Sequence, residues 1–167
     1  MNITRLIINT CPDFVVKGAD AINTDEYTFG YCIGCTQCWL KAPGVCLLND
    51  DWEMLFKRLI KADAVIFIAE AKLGFISYKM KNIVDRLIPI ASPYIIMHNG
   101  EMRHALRYGK SPDIGLIYTG NGDKEFLTAW LERFAVNFIS RSLGVYNIME
   151  REGITHEFGD IQLLPKT

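Results

Sequence analysis

Two largely apolar segments of the sequence, residues 64–69 and 114–119, restrict the fold most strongly. Neither alternates polar with apolar residues, and strands without alternation are typical of parallel sheets covered on both faces. Residues 3–9 and 145–149 have similar strand character, and a weaker strand is expected at residues 19–22. The sequence therefore predicts a parallel sheet of about five strands.

Helical apolar stripes separate these strands. The first contains Trp52, Leu55, Phe56, Leu59 and Ile60, the second Ile76, Met80, Ile83, Val84 and Leu87, and the third Phe126, Leu127, Trp130, Leu131, Phe134 and Phe138. We expect Asp50 to cap the first helix, with Glu53 completing a capping box. The alternation of strands and helices predicts a doubly wound, three-layer α/β sheet within a single domain of residues 1–167.

Composition excludes several classes of protein. The chain of 167 residues has 18 basic and 19 acidic residues, a net charge of −1 that argues against nucleic-acid binding. The longest apolar run, residues 87–97, is interrupted by Pro89 and Pro93 and is shorter than the roughly 18 residues of a membrane span. The N-terminal apolar run is too short for a signal peptide. We expect a cytoplasmic protein without a membrane or nucleic-acid partner.

Four of the five cysteines follow the pattern C-x2-C-x2-C-x7-C, namely Cys32, Cys35, Cys38 and Cys46. An odd count disfavours a disulfide scaffold, whereas the first three thiols have the spacing that folds around one iron–sulfur cube. Pro43-Gly44 permits a turn that brings the fourth thiol back. The alternative is a loop of reduced thiols without metal. We expect Cys11, outside this group, to be a core or loop residue.

Several motifs in one order carry a resemblance to a known family. After the cysteines come Asp50-Asp51, Ala62-Asp63 and the pattern Gly74-x2-Ser77-x3-Lys81-x3-Asp85-Arg86. Together, residues 31–120 resemble the flavodoxin-like NAD(P)H-dependent FMN reductases and, within them, the iron–sulfur flavoproteins. The resemblance implies a flavodoxin-like fold, bound FMN, a homodimer or homotetramer, and electron transfer from NAD(P)H to a small acceptor such as a flavin or quinone.

Two segments after the central strands are the predicted site, because ligands of such sheets bind at the carboxyl ends of the strands. By resemblance, one loop lies beside the flavin ring and the other forms the opposite wall. The first set is Glu70, Ala71, Lys72, Leu73 and Gly74, together with Ser77, and the second is Thr119, Gly120, Asn121 and Gly122. Backbone amides and glycines there would approach the ring, and no side chain need act as a catalyst.

Two departures from the family pattern support other interpretations. Residues 10–13, Thr-Cys-Pro-Asp, stand where relatives have a Ser-rich phosphate loop followed by a helix, and Glu70-Ala71-Lys72 replaces Pro-Val-Tyr. They support an alternative hypothesis, in which the chain is a paralogue that keeps the fold, has lost FMN and acts by binding. A further alternative is an iron–sulfur electron-transfer flavoprotein that uses the four clustered cysteines.

Three smaller expectations concern individual residues. Glu70 and Lys72 could form a surface ion pair, and Asp85-Arg86 is expected to anchor the end of the second helix. Residues 92–112 form a polar and aromatic excursion, interpreted as a solvated loop or subunit contact. Its basic residues, among them Arg103 and His104, could alternatively meet an acidic substrate or a nicotinamide phosphate.

Overall fold

The computed structural model describes residues 4–17 and 20–166. In chain order its strands and α-helices are β1 (Arg5–Asn9), β2 (Phe14–Lys17), β3 (Ala21–Asn23), α1 (Gln37–Leu40), α2 (Trp52–Leu59), β4 (Ala64–Ile76), α3 (Tyr78–Asp85), β5 (Ala91–His98), β6 (Glu101–Leu106), β7 (Asp113–Gly122), α4 (Lys124–Asn137), β8 (Ser142–Asn147), α5 (Arg151–Phe158) and β9 (Gln162–Pro165). Short 3₁₀ turns cover Thr24–Glu26 and Ile88–Ile90.

Five parallel strands form the central sheet in the order β3-β1-β4-β7-β8. This is the flavodoxin-like order, in which the chain winds outward in both directions from its first strand. The predicted α/β fold with about five parallel strands is therefore confirmed. Ile3 and Ala19, which begin two of the predicted strands, lie outside the described residues.

Both faces of the sheet are apolar, which is why its central strands lack alternation. On β4, Val65 and Phe67 contribute to one core, which is completed by α2, α3 and α4. Ile66 and Ile68 contribute to the other core, together with α5 and the region of Val16. Successive strand residues point to opposite faces, so an unbroken apolar run fills two cores at once. The three predicted layers are present.

A small ribbon stands where the first crossover helix of such a fold is expected. The chain runs from β1 to its parallel neighbour β3 through β2, which pairs antiparallel with β9 from Phe14↔Pro165 to Lys17↔Gln162. Val16 is buried against the second core, with Leu163 partly buried beside it. Two strands far apart in sequence thus cover the part of the face that a helix would cover.

Strands β5 and β6 form an antiparallel hairpin in the segment interpreted from the sequence as a solvated loop or subunit contact. The loop interpretation is wrong, whereas the subunit contact stays a prediction. Its turn, Asn99-Gly100, has positive φ angles of 50° and 80°. Asn-Gly with two positive φ angles is the strongest short hairpin signal, because such turns match the twist of the paired strands.

Other boundaries also differ from the prediction. The strand predicted at residues 145–149 is β8, which begins and ends earlier, and α5 and β9 were not predicted. Asp51 rather than Asp50 occupies the cap position of α2, without a side-chain cap bond, and Glu53 pairs with Lys57. The predicted capping box is therefore wrong, because Asp50 is used elsewhere. Among the described residues, the helices are too short or too polar to cross a membrane.

Candidate functional site: a four-cysteine cavity

Cys32, Cys35, Cys38 and Cys46 line one cavity of about 370 Å³. Leu47 and Leu48 form part of its apolar wall, and Trp52, Arg86 and Ile88 come from the neighbouring helices and turn. Cys32 and Cys35 are exposed, whereas Cys38 and Cys46 are half-buried, and all four thiols are free. The fold thus brings together the complete set of thiols that the spacing pattern singled out.

The backbone between the cysteines turns sharply at residues with left-handed conformations. Gly34 and Thr36 have φ angles of 67° and 56°, and α1 starts directly afterwards, so Cys38 lies in the first turn of that helix. Gly44, at φ 81°, turns the chain back toward Cys46, and its amide donates to the Cys38 carbonyl at 2.8 Å. The turn expected at Pro43-Gly44 is confirmed.

Helix α3 fixes the start of the cysteine segment. The Cys32 amide donates to Asn82 Oδ1 at 3.1 Å, and Asn82 Nδ2 donates to the Gly30 carbonyl at 3.0 Å. Arg86 Nη1 donates to the same carbonyl at 3.0 Å. Asn82 and Arg86 are both buried; Asn82 lies on α3 and Arg86 is the residue directly after it, so this helix and its end set the position of the first cysteine.

Arg86 is the buried cation of the cavity, as well as the helix-end anchor that the sequence suggested. Its guanidinium lies 4.7 Å from the centre of the Trp52 ring, and its Nε is buried without a hydrogen-bond partner among the described residues. Burial lowers the pKa of Arg86, but hydrogen bonding to Asp50 and Cys46 outweighs that effect and raises it. Arg86 and Cys46 line the same cavity, so the guanidinium favours negative charge on the Cys46 sulfur.

The thiols influence one another electrostatically. Burial raises the pKa of the Cys38 thiol, and the negative charges of Cys46, Cys32 and Cys35 raise it further. A cationic metal centre would offset this repulsion, because bound thiols are deprotonated. In the described parts of the chain, no three His, Cys, Asp or Glu residues are placed to hold one metal ion. Four thiols around one cavity match the ligand set of an iron–sulfur centre, in which the four sulfurs do not all bind one iron.

The two predicted flavin-binding loops are strand ends that pair directly with each other. Glu70 pairs with Thr119, Ala71 with Gly120 and, after a bulge, Gly74 with Gly122. The interpretation of residues 70–74 and 119–122 as loops is therefore wrong, because β4 and β7 continue through them. They are adjacent and parallel as expected, but in register rather than separated by a slot.

The remaining residues of these strand ends have mixed surroundings. Leu73, at φ 53°, and Lys72 project into solvent, and Lys72 pairs with Glu70 at 3.1 Å, which confirms the expected surface ion pair. Asn121 is exposed next to Gly122. Ser77 is buried at the cap position of α3, and its amide donates to the Glu70 carbonyl at 2.8 Å. Whether these residues contact a flavin stays a prediction.

The carboxyl end of β1, where the resemblance implies a site for the FMN phosphate, is filled by the chain itself. Thr10 donates to the Ile68 carbonyl through its amide at 2.9 Å and its hydroxyl at 3.3 Å. Asn9 Nδ2 donates to the Phe14 carbonyl and to Asn23 Oδ1, at 2.7 and 3.0 Å. Cys11 is buried, as expected. No helix begins here to receive a phosphate within residues 10–17, so this end does not fit the FMN phosphate.

A second, aromatic cavity of about 310 Å³ adjoins the cysteine segment and was missed by the sequence analysis. It lies between the end of β3 and the first turn of α3, and Tyr27, Phe29, Tyr31 and Tyr78 line it together with Asn82. The alternating aromatic residues 27, 29 and 31 were its signal. Asn82 connects the two cavities, because it also accepts from the Cys32 amide.

The fold and the cavity together define a flavodoxin-like α/β protein with a four-cysteine site beside its sheet. No family model matches the chain. Curated proteins similar to it include an iron–sulfur flavoprotein of Archaeoglobus fulgidus, 25% identical over 114 residues that cover 68% of this chain and 46% of that protein. An iron–sulfur flavoprotein of Methanocaldococcus jannaschii is 34% identical over 91 residues, covering 53% of this chain and 46% of the relative.

The chain thus spans about half the length of the curated relatives that it matches. These two relatives confirm the resemblance to the iron–sulfur flavoproteins that the sequence motifs indicated.

Proposed function

We propose that the protein is an electron-transfer protein of the iron–sulfur flavoprotein type, in which Cys32, Cys35, Cys38 and Cys46 bind an iron–sulfur cluster. The main support is the single cavity that all four thiols line, with the orphaned Nε of Arg86 at its wall. Both relatives are named iron–sulfur flavoproteins, which agrees with this proposal. A bound cluster would supply one-electron redox chemistry.

The chain's own residues prepare the cavity for a negatively charged centre. Arg86 lines the same cavity as Cys46 and brings a permanent positive charge to it, and the Arg86 Nε–H has no acceptor among the described residues. Asn82 holds the Cys32 backbone, and Trp52 and Leu48 exclude water from the inner wall. Hydrogen bonds to sulfur and reduced solvent exposure are two means by which proteins tune such centres.

The test is iron and acid-labile sulfide analysis of protein purified anaerobically, with its visible spectrum. We expect iron and sulfide in the wild-type protein and their loss in Cys35→Ala. Cys11→Ala is the matched control, because Cys11 is buried outside the cavity and should leave both contents unchanged. Wild-type protein without iron or sulfide, even after anaerobic reconstitution, would overturn the proposal.

A second candidate function is FMN-dependent transfer of electrons from NAD(P)H to a small acceptor such as a flavin or quinone. The relatives' names support a flavin, and the ring would contact the paired strand ends at residues 70–74 and 119–122 and Ser77. Because the end of β1 does not fit the phosphate, we expect FMN and riboflavin to bind with affinities within about threefold of each other. Absorbance titration of cofactor-free protein measures both.

The titration also tests the alternative that the chain keeps the fold, has lost the flavin and acts by binding. The filled end of β1 supports this alternative. Failure of both flavins to bind would favour it and would contradict the FMN-dependent function. FMN binding more than about tenfold tighter than riboflavin would instead contradict our interpretation of the phosphate end.

Assembly and cellular location are further proposals. We propose a homodimer or homotetramer, supported by exposed apolar side chains on the β5–β6 hairpin, among them Tyr94, Ile95 and Met97. A cytoplasmic location agrees with the free thiols, since clustered cysteines persist in a reducing compartment. The net charge of −1 gives no support to a nucleic-acid partner.

A further inference from the structure

Arg107, the residue directly after β6, holds the short helix α1 from outside the four-cysteine cavity. Its Nη2 donates to the Trp39 carbonyl at 2.8 Å, and its Nε donates to the Pro89 carbonyl at 3.1 Å. The Arg107 amide donates to the Ile90 carbonyl at 2.9 Å. We call residues 89–91 together with Arg107 the hairpin base. One arginine therefore joins both ends of the β5–β6 hairpin to α1.

Helix α1 needs donors from outside because it has only four residues. The last four carbonyls of a helix have no partner within the helix, and arginine side chains often donate to them. In α1 the Cys38 carbonyl accepts from the Gly44 amide at 2.8 Å, and the Trp39 carbonyl accepts from Arg107. The end of this helix is thus held by the turn that precedes Cys46 and by the hairpin base.

The side chain of Trp39 is also anchored to the hairpin. Its Nε1 donates to the carbonyl of Ala91, the first residue of β5, at 2.9 Å. Its ring packs edge-on against His104 of β6, with ring centres 5.2 Å apart. Both the backbone and the ring of Trp39 are therefore fixed to the hairpin. Because Cys38 directly precedes Trp39, these contacts also limit where the Cys38 thiol can lie.

The two ends of the cysteine segment are held by different elements. At the first end, the Cys32 amide donates to Asn82 of α3 at 3.1 Å. At the other end, Cys38 is held through Trp39 and Arg107, as described above. The contacts at the two ends have no residue in common. The hairpin base can therefore loosen at Cys38 while α3 keeps Cys32 in place.

We propose that Arg107 and Trp39 are positioning residues for Cys38, and that the hairpin base supports the cysteine cavity independently of α3. Both residues lie outside the lining of that cavity, so they act on Cys38 through the backbone of α1. The inference rests on the proposed function for the purpose of this support, which is to hold Cys38 as a cluster ligand. The position of Cys38 itself does not depend on a bound cluster.

The test is the rate at which iodoacetamide alkylates each cysteine of the full chain, after iron is removed with a chelator and the thiols are reduced. Mass spectrometry of peptides separates the cysteines. We expect Arg107→Met to raise the Cys38 rate about threefold to tenfold, because α1 opens more often without this hydrogen bond. The rate at Cys32, which α3 holds, should not change.

Two controls separate this local effect from general destabilisation. Cys11 is buried in the second core and should stay protected, since only broader unfolding exposes it. Arg133→Met is the matched substitution, because Arg133 is an exposed arginine that pairs with Glu101 of the same hairpin. It should leave the rate at Cys38 unchanged.

Trp39→Phe keeps the test valid if Arg107→Met fails to fold. It removes the hydrogen bond to Ala91 but keeps an aromatic ring and the charge of the protein, so a faster reaction of Cys38 cannot come from altered charge. An unchanged Cys38 rate in either folded variant, or a parallel rise at Cys32 or Cys11, would overturn the inference. Wild-type protein without iron would overturn the cluster and leave the alkylation result standing.

Discussion

Arg86 and Asp50 form a two-pronged ion pair at the wall of the four-cysteine cavity, with Nη1–Oδ2 and Nη2–Oδ1 distances of 2.6 and 2.9 Å. Their side chains are 2% and 5% exposed. Asp50 also accepts from the Gly30 and Trp52 amides, at 2.7 and 3.2 Å. One carboxylate thus joins three parts of the chain: Gly30, just before the cysteine segment, the start of α2 and the residue after α3.

Removing one partner of this pair should destabilise the protein strongly. Arg86→Met leaves the buried Asp50 carboxylate without its counter-charge, which costs about 3–5 kcal/mol in comparable buried pairs. We expect a loss of this size in the free energy of unfolding, measured by urea denaturation of cofactor-free protein. Lys57→Met is the control: it breaks the exposed Glu53–Lys57 pair and should cost less than about 0.5 kcal/mol.

The double variant Arg86→Met/Asp50→Leu should recover part of that loss, because it removes the buried charge together with its partner. If Arg86→Met lowered the free energy of unfolding by less than about 1 kcal/mol, water would reach Asp50, and the Arg86–Asp50 pair would behave as an exposed ion pair.

The same pair predicts how stability depends on pH. Burial raises the pKa of Asp50, but the Arg86 hydrogen bonds and the Gly30 and Trp52 amides outweigh it, so its folded-state pKa lies below the ordinary value. The unfolded chain therefore binds this proton first, at about pH 3.9. The stabilisation is complete well above that pH and is lost as the pH falls through the folded-state pKa.

Urea denaturation between pH 7 and pH 3 should show a smaller loss of stability in Asp50→Asn than in the wild-type protein. The pKa values of Asp63 and Glu150 are also lowered, first by hydrogen bonds from Lys110 and Lys124 respectively, and remain so in the variant. The difference between the two proteins therefore isolates Asp50. Parallel pH profiles would contradict this prediction.

The paired strand ends predict unequal effects of two glycine substitutions. Gly120 has a φ of 75°, and a Cβ there would lie 2.6 Å from the Ala71 carbonyl oxygen, which belongs to rigid backbone. Gly109 has nearly the same φ, 76°, but open space around the position of a Cβ. Both alanine variants incur the left-handed strain of about 1 kcal/mol, and Gly120→Ala should lose a further 1–3 kcal/mol, roughly, through the clash. Thermal denaturation of the two variants measures the difference.

Equal destabilisation of the two variants would mean that the ends of β4 and β7 separate readily. The two strand ends could then move apart at little cost and form the opposite walls expected around a flavin ring. A large difference means that the two ends stay paired.

The β5–β6 hairpin predicts the assembly. Ile95 is 63% exposed, and Ile95→Lys should shift the protein toward monomer in sedimentation velocity, because a charge opposes burial of that face. Met149→Lys, at an exposed apolar residue outside the hairpin, should leave the distribution unchanged. A monomeric wild-type protein, or equal behaviour of both variants, would contradict the hairpin as the assembly surface.

Local sequence patterns predicted the strands of the central sheet, but they did not predict strands whose pairing partners lie far away in the sequence. The apolar run at residues 64–69 is short for a helix, and its length together with the lack of alternation favours a strand covered on both faces. Strand β2 gave no such signal, because its partner β9 lies about 150 residues away in sequence and only their pairing makes either a strand. The hairpin turn Asn99-Gly100, in contrast, is a local signal, because Asn-Gly favours a two-residue hairpin turn.

The candidate site likewise combines features that local sequence predicts with contacts that it does not. Cysteine spacing is local, and it correctly grouped the four thiols that line one cavity. Asp50 was misassigned as a helix cap because its partner, Arg86, lies 36 residues further on, and an ion pair with a buried arginine leaves no local trace.

The β2–β9 ribbon has a consequence for the order of folding during synthesis. The core around Val16 cannot close until residues 162–165 have left the ribosome, although β1 and β3 are made among the first segments. Until then, the early strands expose one apolar face that a helix next in sequence would have covered at once. A nascent chain of this kind depends on protection from aggregation for longer than one whose first helix forms locally.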